Sequence, residues 1–193
     1  MITFEEYLLL LETPQGHHGE WDGGSDTYLI GHVPSDNYTK KLIKLGSLGD
    51  VEFYINSNSD TVVGIDTKIN VIVLHMLLGN FEISTINKEF PQTNMIRIAE
   101  SHKNLKLAST LYSLLLDRYG ALVCDYDQFD GARALWKSFG RKDDLYKYTY
   151  NEIEDVLTPI NNFDNESQLW SFDKDEGKRY LLLVVSKNKL RTH

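Results

Sequence analysis

Apolar positions in this chain switch between a three-to-four spacing and alternation, and the switches divide it into elements. Phe4, Tyr7, Leu8 and Leu11 fall at i, i+3, i+4 and i+7 and predict a helix over Thr3–Glu12. Thr3 and Glu6 have capping-box spacing, and Pro14 ends the helix. A glycine-rich loop over Gln15–Asp26 comes next, then a weakly alternating strand over Thr27–Val33. Ser35 is placed to cap a short helix in which Tyr38, Leu42 and Leu45 share a face and Gly46 is the stop. Asp50–Ile55 and Thr61–Asp66 are β-rich runs separated by a turn cluster, which predicts a hairpin. Asn70–Leu78 is continuously apolar, so its period fits a buried strand and a buried helix equally. His75 lies inside that run, where a lone histidine is more often a core residue than a ligand. Phe81–Ile86 reads as a strand, and Pro91 as a break before the next one.

The most informative stretch is Asn94 to Gly140. A strand over Asn94–Ser101 leads through a polar turn into a helix with the stripe Leu107, Leu111, Leu114 and Leu115. This helix is expected to begin near Leu105 and to run to Tyr119, with Gly120 as a left-handed stop. The strand Ala121–Asp125 follows, then a second helix over Gly131–Gly140. Ala132, Leu135, Trp136 and Phe139 form its apolar stripe, and Asp130 is placed as its N-cap. Together these make a βαβ unit. Beyond it, Leu145–Tyr150 alternates as a strand with Tyr146, Tyr148 and Tyr150 on one face. Glu152–Glu166 reads as an acidic loop or short helix. Gln168–Phe172 and Lys178–Ser186 predict a second hairpin, and the basic tail Lys187–His193 is expected to fray. The fold class is α/β or α+β, a single domain over 1–193 with a mixed, largely antiparallel sheet, a central βαβ unit and flanking helices.

Composition narrows the function. The 193 residues are 41% hydrophobic and 25% charged, with a formal net charge of −8. That balance argues against a general grip on nucleic acid, which needs a basic surface. The single cysteine, Cys124, excludes an intramolecular disulfide and a cysteine metal cluster and fits a reducing, cytoplasmic setting. Cys124 lies in an apolar strand and reads as a small packed hydrophobe rather than a nucleophile, whereas Asp125 at the strand end is placed to line a cleft. The first residues lack the basic region of a signal peptide, and their apolar run is too short to span a bilayer. His17, His18 and Asp22 form the one candidate metal cluster, in a loop where these residue types also serve turns.

The turn before the first helix of the βαβ unit carries the candidate chemistry. Leu105, Lys106, Leu107 and Ala108 supply its opening amides, which lack intrahelical partners and sit at the positive end of the helix dipole. Lys103 and Lys106 add positive charge, so a phosphate or pyrophosphate would be stabilised there. The alternative is that both lysines are simply solvated and that Asn104 or water caps the helix.

Lys103-Asn104-Leu105-Lys106-Leu107-Ala108, with Ser109-Thr110-Leu111-Tyr112 after it, resembles the coenzyme A loop of the GCN5-related N-acetyltransferases, in particular small bacteriophage-encoded members. In that family a strand leads into a loop of pattern R/Q-x-x-G-x-G/A and then a helix. Ala121-Leu122-Val123-Cys124-Asp125 and Gly131–Gly140 are similar to the strand and helix that follow. The resemblance implies acetyl-CoA as co-substrate, with its pyrophosphate on Lys103–Ala108 and backbone contacts from Ile98 and Ala99. It implies an amine acceptor, either a small molecule or a protein, and for a phage protein a location in the host cytoplasm. Glu100 and His102 are the nearby base candidates for deprotonating the amine.

Two departures stand against catalysis. Lys106 occupies the family's first loop glycine, so its stem could crowd the ligand or its ammonium could bind phosphate. Trp136 is the nearest counterpart of the family's general-acid tyrosine, and an indole cannot fill that role. Tyr146 or Tyr148 is the substitute on offer. The competing expectation is a protein that keeps the fold, has lost catalysis and binds a host or phage protein. Acceptor-pocket loops are expected from Gln15–Asp26 and Glu152–Glu166.

Overall fold

The computed structural model describes residues 29–58, 60–126, 130–164 and 181–191. The expected helix Thr3–Glu12, the loop Gln15–Asp26 with its histidines and the first arm of the second hairpin fall outside them. The described chain is α+β. Nine strands form one mixed, mostly antiparallel sheet in the order β1-β2-β3-β4-β5-β6-β9-β7-β8. They are β1 Leu42–Leu48, β2 Val51–Asn56, β3 Thr61–Asp66, β4 Val71–Ile83, β5 Lys88–Ile98, β6 Ala121–Val123, β7 Tyr146–Asn151, β8 Val156–Ile160 and β9 Leu181–Ser186. The α-helices are α1 Asp36–Thr39, α2 Leu107–Tyr119 and α3 Asp130–Gly140. No described helix is long and apolar enough to cross a membrane.

By packing, the residues up to Leu78 join Met95–Leu111 in one compact unit, and Gly79–Asn94 joins the residues from Tyr112 onward in another. In the first unit the predicted hairpin is present, with Val51 opposite Asp66 and Ile55 opposite Val62. Val51, Phe53 and Ile55 are buried on one face of β2 while Glu52, Tyr54 and Asn56 stay half-exposed, as alternation requires. The ambiguous run Asn70–Leu78 is a strand. β4 continues without interruption to Ile83, 13 residues in all, and β3 pairs along its first part. Leu29, Tyr38, Val63, Ile65 and Ile72 make a buried cluster on this unit.

Two readings of this unit are corrected. The described part of Thr27–Val33 is a turn at Gly31 (φ 87°), tied by the Gly31 N–H to the Ile72 carbonyl at 2.9 Å. The helix from Ser35 stops at Thr39, and Leu42 to Leu48 is strand. There β2 supplies an antiparallel ladder, which outweighs the helical spacing of Tyr38, Leu42 and Leu45. Gly46 lies at a bulge in that ladder rather than at a helix stop. The Ser35 cap itself is present, its hydroxyl accepting from the Tyr38 N–H at 3.2 Å. Ser35→Ala is expected to cost about 1 kcal/mol, read from urea unfolding. An unchanged midpoint would show that the single turn of α1 does not depend on it.

In the second unit β5 and β6 pair in parallel at Gln92 and Val123, with α2 between them in the chain; β5 runs over Lys88–Ile98 rather than the expected Asn94–Ser101, and Glu100–His102 is a 3₁₀ turn. Pro91 sits buried within β5 instead of breaking it, since a proline φ suits extended backbone. Gly120 takes φ 79° and ends α2 as predicted. β9 lies between β6 and β7, antiparallel to both. The acidic segment expected as loop or helix contains β8, which pairs with β7 and ends the strand order. Pro159 is tolerated there because β8 is the last strand of the order among the described residues, and an edge strand needs no donor on its open side. The tail is anchored at least to Leu190, whose N–H donates to the Tyr148 hydroxyl at 2.9 Å.

Candidate functional site

The candidate site is built in the first unit, where β5 ends and α2 begins. Ile98 is the last residue of β5. Ala99 is buried and its backbone is committed: its N–H donates to the Val73 carbonyl at 2.8 Å, and its carbonyl accepts from the His102 N–H at 2.9 Å. These bonds close a 3₁₀ turn over Glu100–His102 and tie it to β4. Glu100 projects outward, its side chain 72% exposed and ion-paired with Lys103. It is therefore a surface acid held by its neighbour one turn on.

His102 is turned inward. Its ring is 10% exposed and both nitrogens are engaged. Nε2 lies 3.0 Å from Oδ2 of Asp66, and Nδ1 lies 2.9 Å from the Ser101 hydroxyl. Asp66, 14% exposed at the end of β3, accepts with its other oxygen from the Lys68 N–H at 2.9 Å. At neutral pH a carboxylate only accepts, so Nε2 carries a proton. In the neutral imidazole, Nδ1 then accepts from the Ser101 hydroxyl.

The turn that follows takes a left-handed backbone at two positions. Asn104 adopts φ 65° and Lys106 φ 61°, both left-handed. Asparagine visits that region readily, whereas lysine does so at a cost of roughly 1–2 kcal/mol. The Lys106 carbonyl accepts the first helical bond, from the Thr110 N–H at 3.0 Å, together with the Ser109 hydroxyl at 2.9 Å. Lys106 is thus the N-cap residue of α2, and the helix starts two residues later than its apolar stripe suggests. Leu107 is buried and anchors the first turn, Ala108 is half-buried, and Leu105 is exposed. The N–H groups of Lys106, Leu107 and Ala108 have no carbonyl one turn earlier in the helix, so they form a donor set suited to an anion. Lys103 is ion-paired with the exposed Glu100, while among the described residues no carboxylate pairs with Lys106. Lys106 is the cation that an anion would meet.

Other sequence candidates lie elsewhere. Tyr146 stands at the start of β7 in the second unit, 46% exposed. Tyr148 is buried and its hydroxyl serves the tail. Trp136 is enclosed by Tyr112, Phe139 and Phe163 and is a core residue. Cys124 is buried and accepts from the Leu183 N–H at 3.0 Å, as a packed thiol. Near it, the buried side chains of Gln92 and Thr93 donate to the carbonyls of Cys124 and Val123. Among the described residues no three His, Cys, Asp or Glu side chains cluster as metal ligands. Sequence reading missed Asp66 and Ser101. The adjacency of Ser101 to His102 was a weak signal; Asp66, 36 positions away, gave none.

Compared with known proteins, the chain matches no family model and no curated sequence.

Proposed function

We propose that the protein is an acyl-CoA-dependent N-acyltransferase, moving an acetyl group from acetyl-CoA to an amine on a small molecule or protein. The observation that carries this reading is the backbone of Lys106. It takes a left-handed conformation suited to glycine, at the position where the resembling family has one. The loop thus follows a glycine-type path into a helix N-terminus although its sequence lacks the glycine. The amides that open α2 would hold the pyrophosphate, and the Lys106 ammonium would add charge. His102 is the base candidate that stands in a defined hydrogen-bonded arrangement; Glu100 is committed to Lys103.

Calorimetric titration of the full chain with CoA and acetyl-CoA tests this. One-to-one binding is the expected result, weakened about tenfold or more by Lys106→Glu. Absence of heat at millimolar ligand overturns the reading. A second reading, a fold that binds CoA or a host or phage protein without turnover, is favoured by the burial of Trp136 at the family's acid position. Binding without thiol release across a panel of amines would select it.

A further inference from the structure

We infer that Ser101 is a nucleophile, activated by His102 and Asp66, that takes an acyl group from an activated ester or thioester. Ser101 Oγ, His102 Nδ1, His102 Nε2 and Asp66 Oδ2 form one unbroken chain, with links of 2.9 and 3.0 Å across the imidazole. His102 is buried, Asp66 is half-buried and Ser101 is exposed. A half-buried, acceptor-only carboxylate sets the imidazole tautomer, and that tautomer presents a bare nitrogen to a hydroxyl. This is the nucleophile, base and orienting group relation that activates serine in unrelated folds, here with the ring nitrogens exchanged between their partners.

The support is rigid at each point. Asp66 closes the β2/β3/β4 ladders opposite Val51 and Val71, and the Lys68 N–H holds its second oxygen. His102 is fixed by its own N–H to Ala99, and Ala99 by its N–H to Val73 on β4. The three side chains therefore stand on strand ends and on a turn pinned to a strand, which keeps catalytic geometry better than free loops do. Because both nitrogens of His102 are occupied, its route to a substrate runs through Ser101.

The chemistry closes without any further reagent. The Ser101 proton passes to His102 Nδ1 as Oγ bonds to the acyl carbon. The bond from that carbon to sulfur or oxygen breaks, and Nδ1–H returns its proton to the departing thiolate or alkoxide. An amine or water then attacks the acyl-serine and loses a proton to Nδ1, which passes it to the released Ser101 oxygen. Asp66 is a positioning residue in both halves.

The test uses the full chain and does not involve CoA, so it can fail while the CoA reading stands, and the reverse. A fluorophosphonate probe should add one phosphonyl group per folded chain, on Ser101 by peptide mass, and none to the urea-unfolded chain. Ser101→Ala should abolish the label. His102→Ala should slow labelling by about 10²-fold or more with the folded circular dichroism spectrum retained. In the unaltered protein, ¹⁵N spectra should show His102 protonated on Nε2 and bare on Nδ1, a signature that Asp66→Ala removes. A native chain that resists the probe, a label on another residue, or a His102 tautomer protonated on Nδ1 alone overturns the inference.

Discussion

Replacing Trp136 by alanine is expected to lower the unfolding free energy by about 3–5 kcal/mol. The indole is 1% exposed. It meets Tyr112 edge-on at 6.1 Å and 87°, Phe139 at 6.2 Å and 72°, and Phe163 at 6.1 Å and 63°. Tyr112 and Phe139 are themselves stacked at 5.8 Å. Deletion forfeits the transfer energy of the ring, leaves a cavity these rigid neighbours cannot fill, and removes edge-to-face contacts of about 0.5–1.5 kcal/mol each. Urea unfolding followed by circular dichroism measures the loss. A loss below about 1 kcal/mol would mean that the cluster repacks, contrary to the rigidity of interiors. The same burial fits Trp136 to the packing of α3.

Lys106 should respond in opposite directions to two substitutions. Lys106→Gly relieves a left-handed cost of roughly 1–2 kcal/mol and gives back about 0.5–1 kcal/mol through the freer unfolded chain. The net result is unchanged or slightly raised stability. Lys106→Val places a β-branched side chain at φ 61° and should lower stability by a further 1–2 kcal/mol, about. Thermal melts should separate the two variants by about 4–8 °C, given roughly 2–4 °C per kcal/mol for a chain of this size. Coincident melts would show that the loop relaxes to negative φ at no cost. Under the acyltransferase reading, the glycine variant keeps the amide donors and loses only the ammonium. It therefore separates the contribution of the loop path from that of the charge.

The legible parts of the fold were those in which local pattern and tertiary demand agree. The alternation of Val51, Phe53 and Ile55, the stop at Gly120 and the stripe Leu135, Trp136 and Phe139 each state a burial face that the fold uses. β1 and β8 were illegible for a shared reason. Their identity comes from the partner strand, and edge strands bury too little to show alternation: in β8 only Leu157 is buried. The start of α2 was misplaced because a lysine gives no local sign of a left-handed backbone.

For the candidate site, sequence alone determined the order strand, turn, helix, strand, the cationic character of the turn, and His102 beside it. It could do so because hydrophobic period and charge are properties of neighbours in the chain. Tertiary structure alone decided that His102 faces inward to Asp66 at 3.0 Å, that Glu100 points outward beside Lys103, and that Tyr112, Phe139 and Phe163 are the rings around Trp136. Those outcomes depend on which strand ends meet in the first unit and which aromatic rings enclose one another in the second. Such meetings are set by long-range pairing and close packing, which no window of sequence contains.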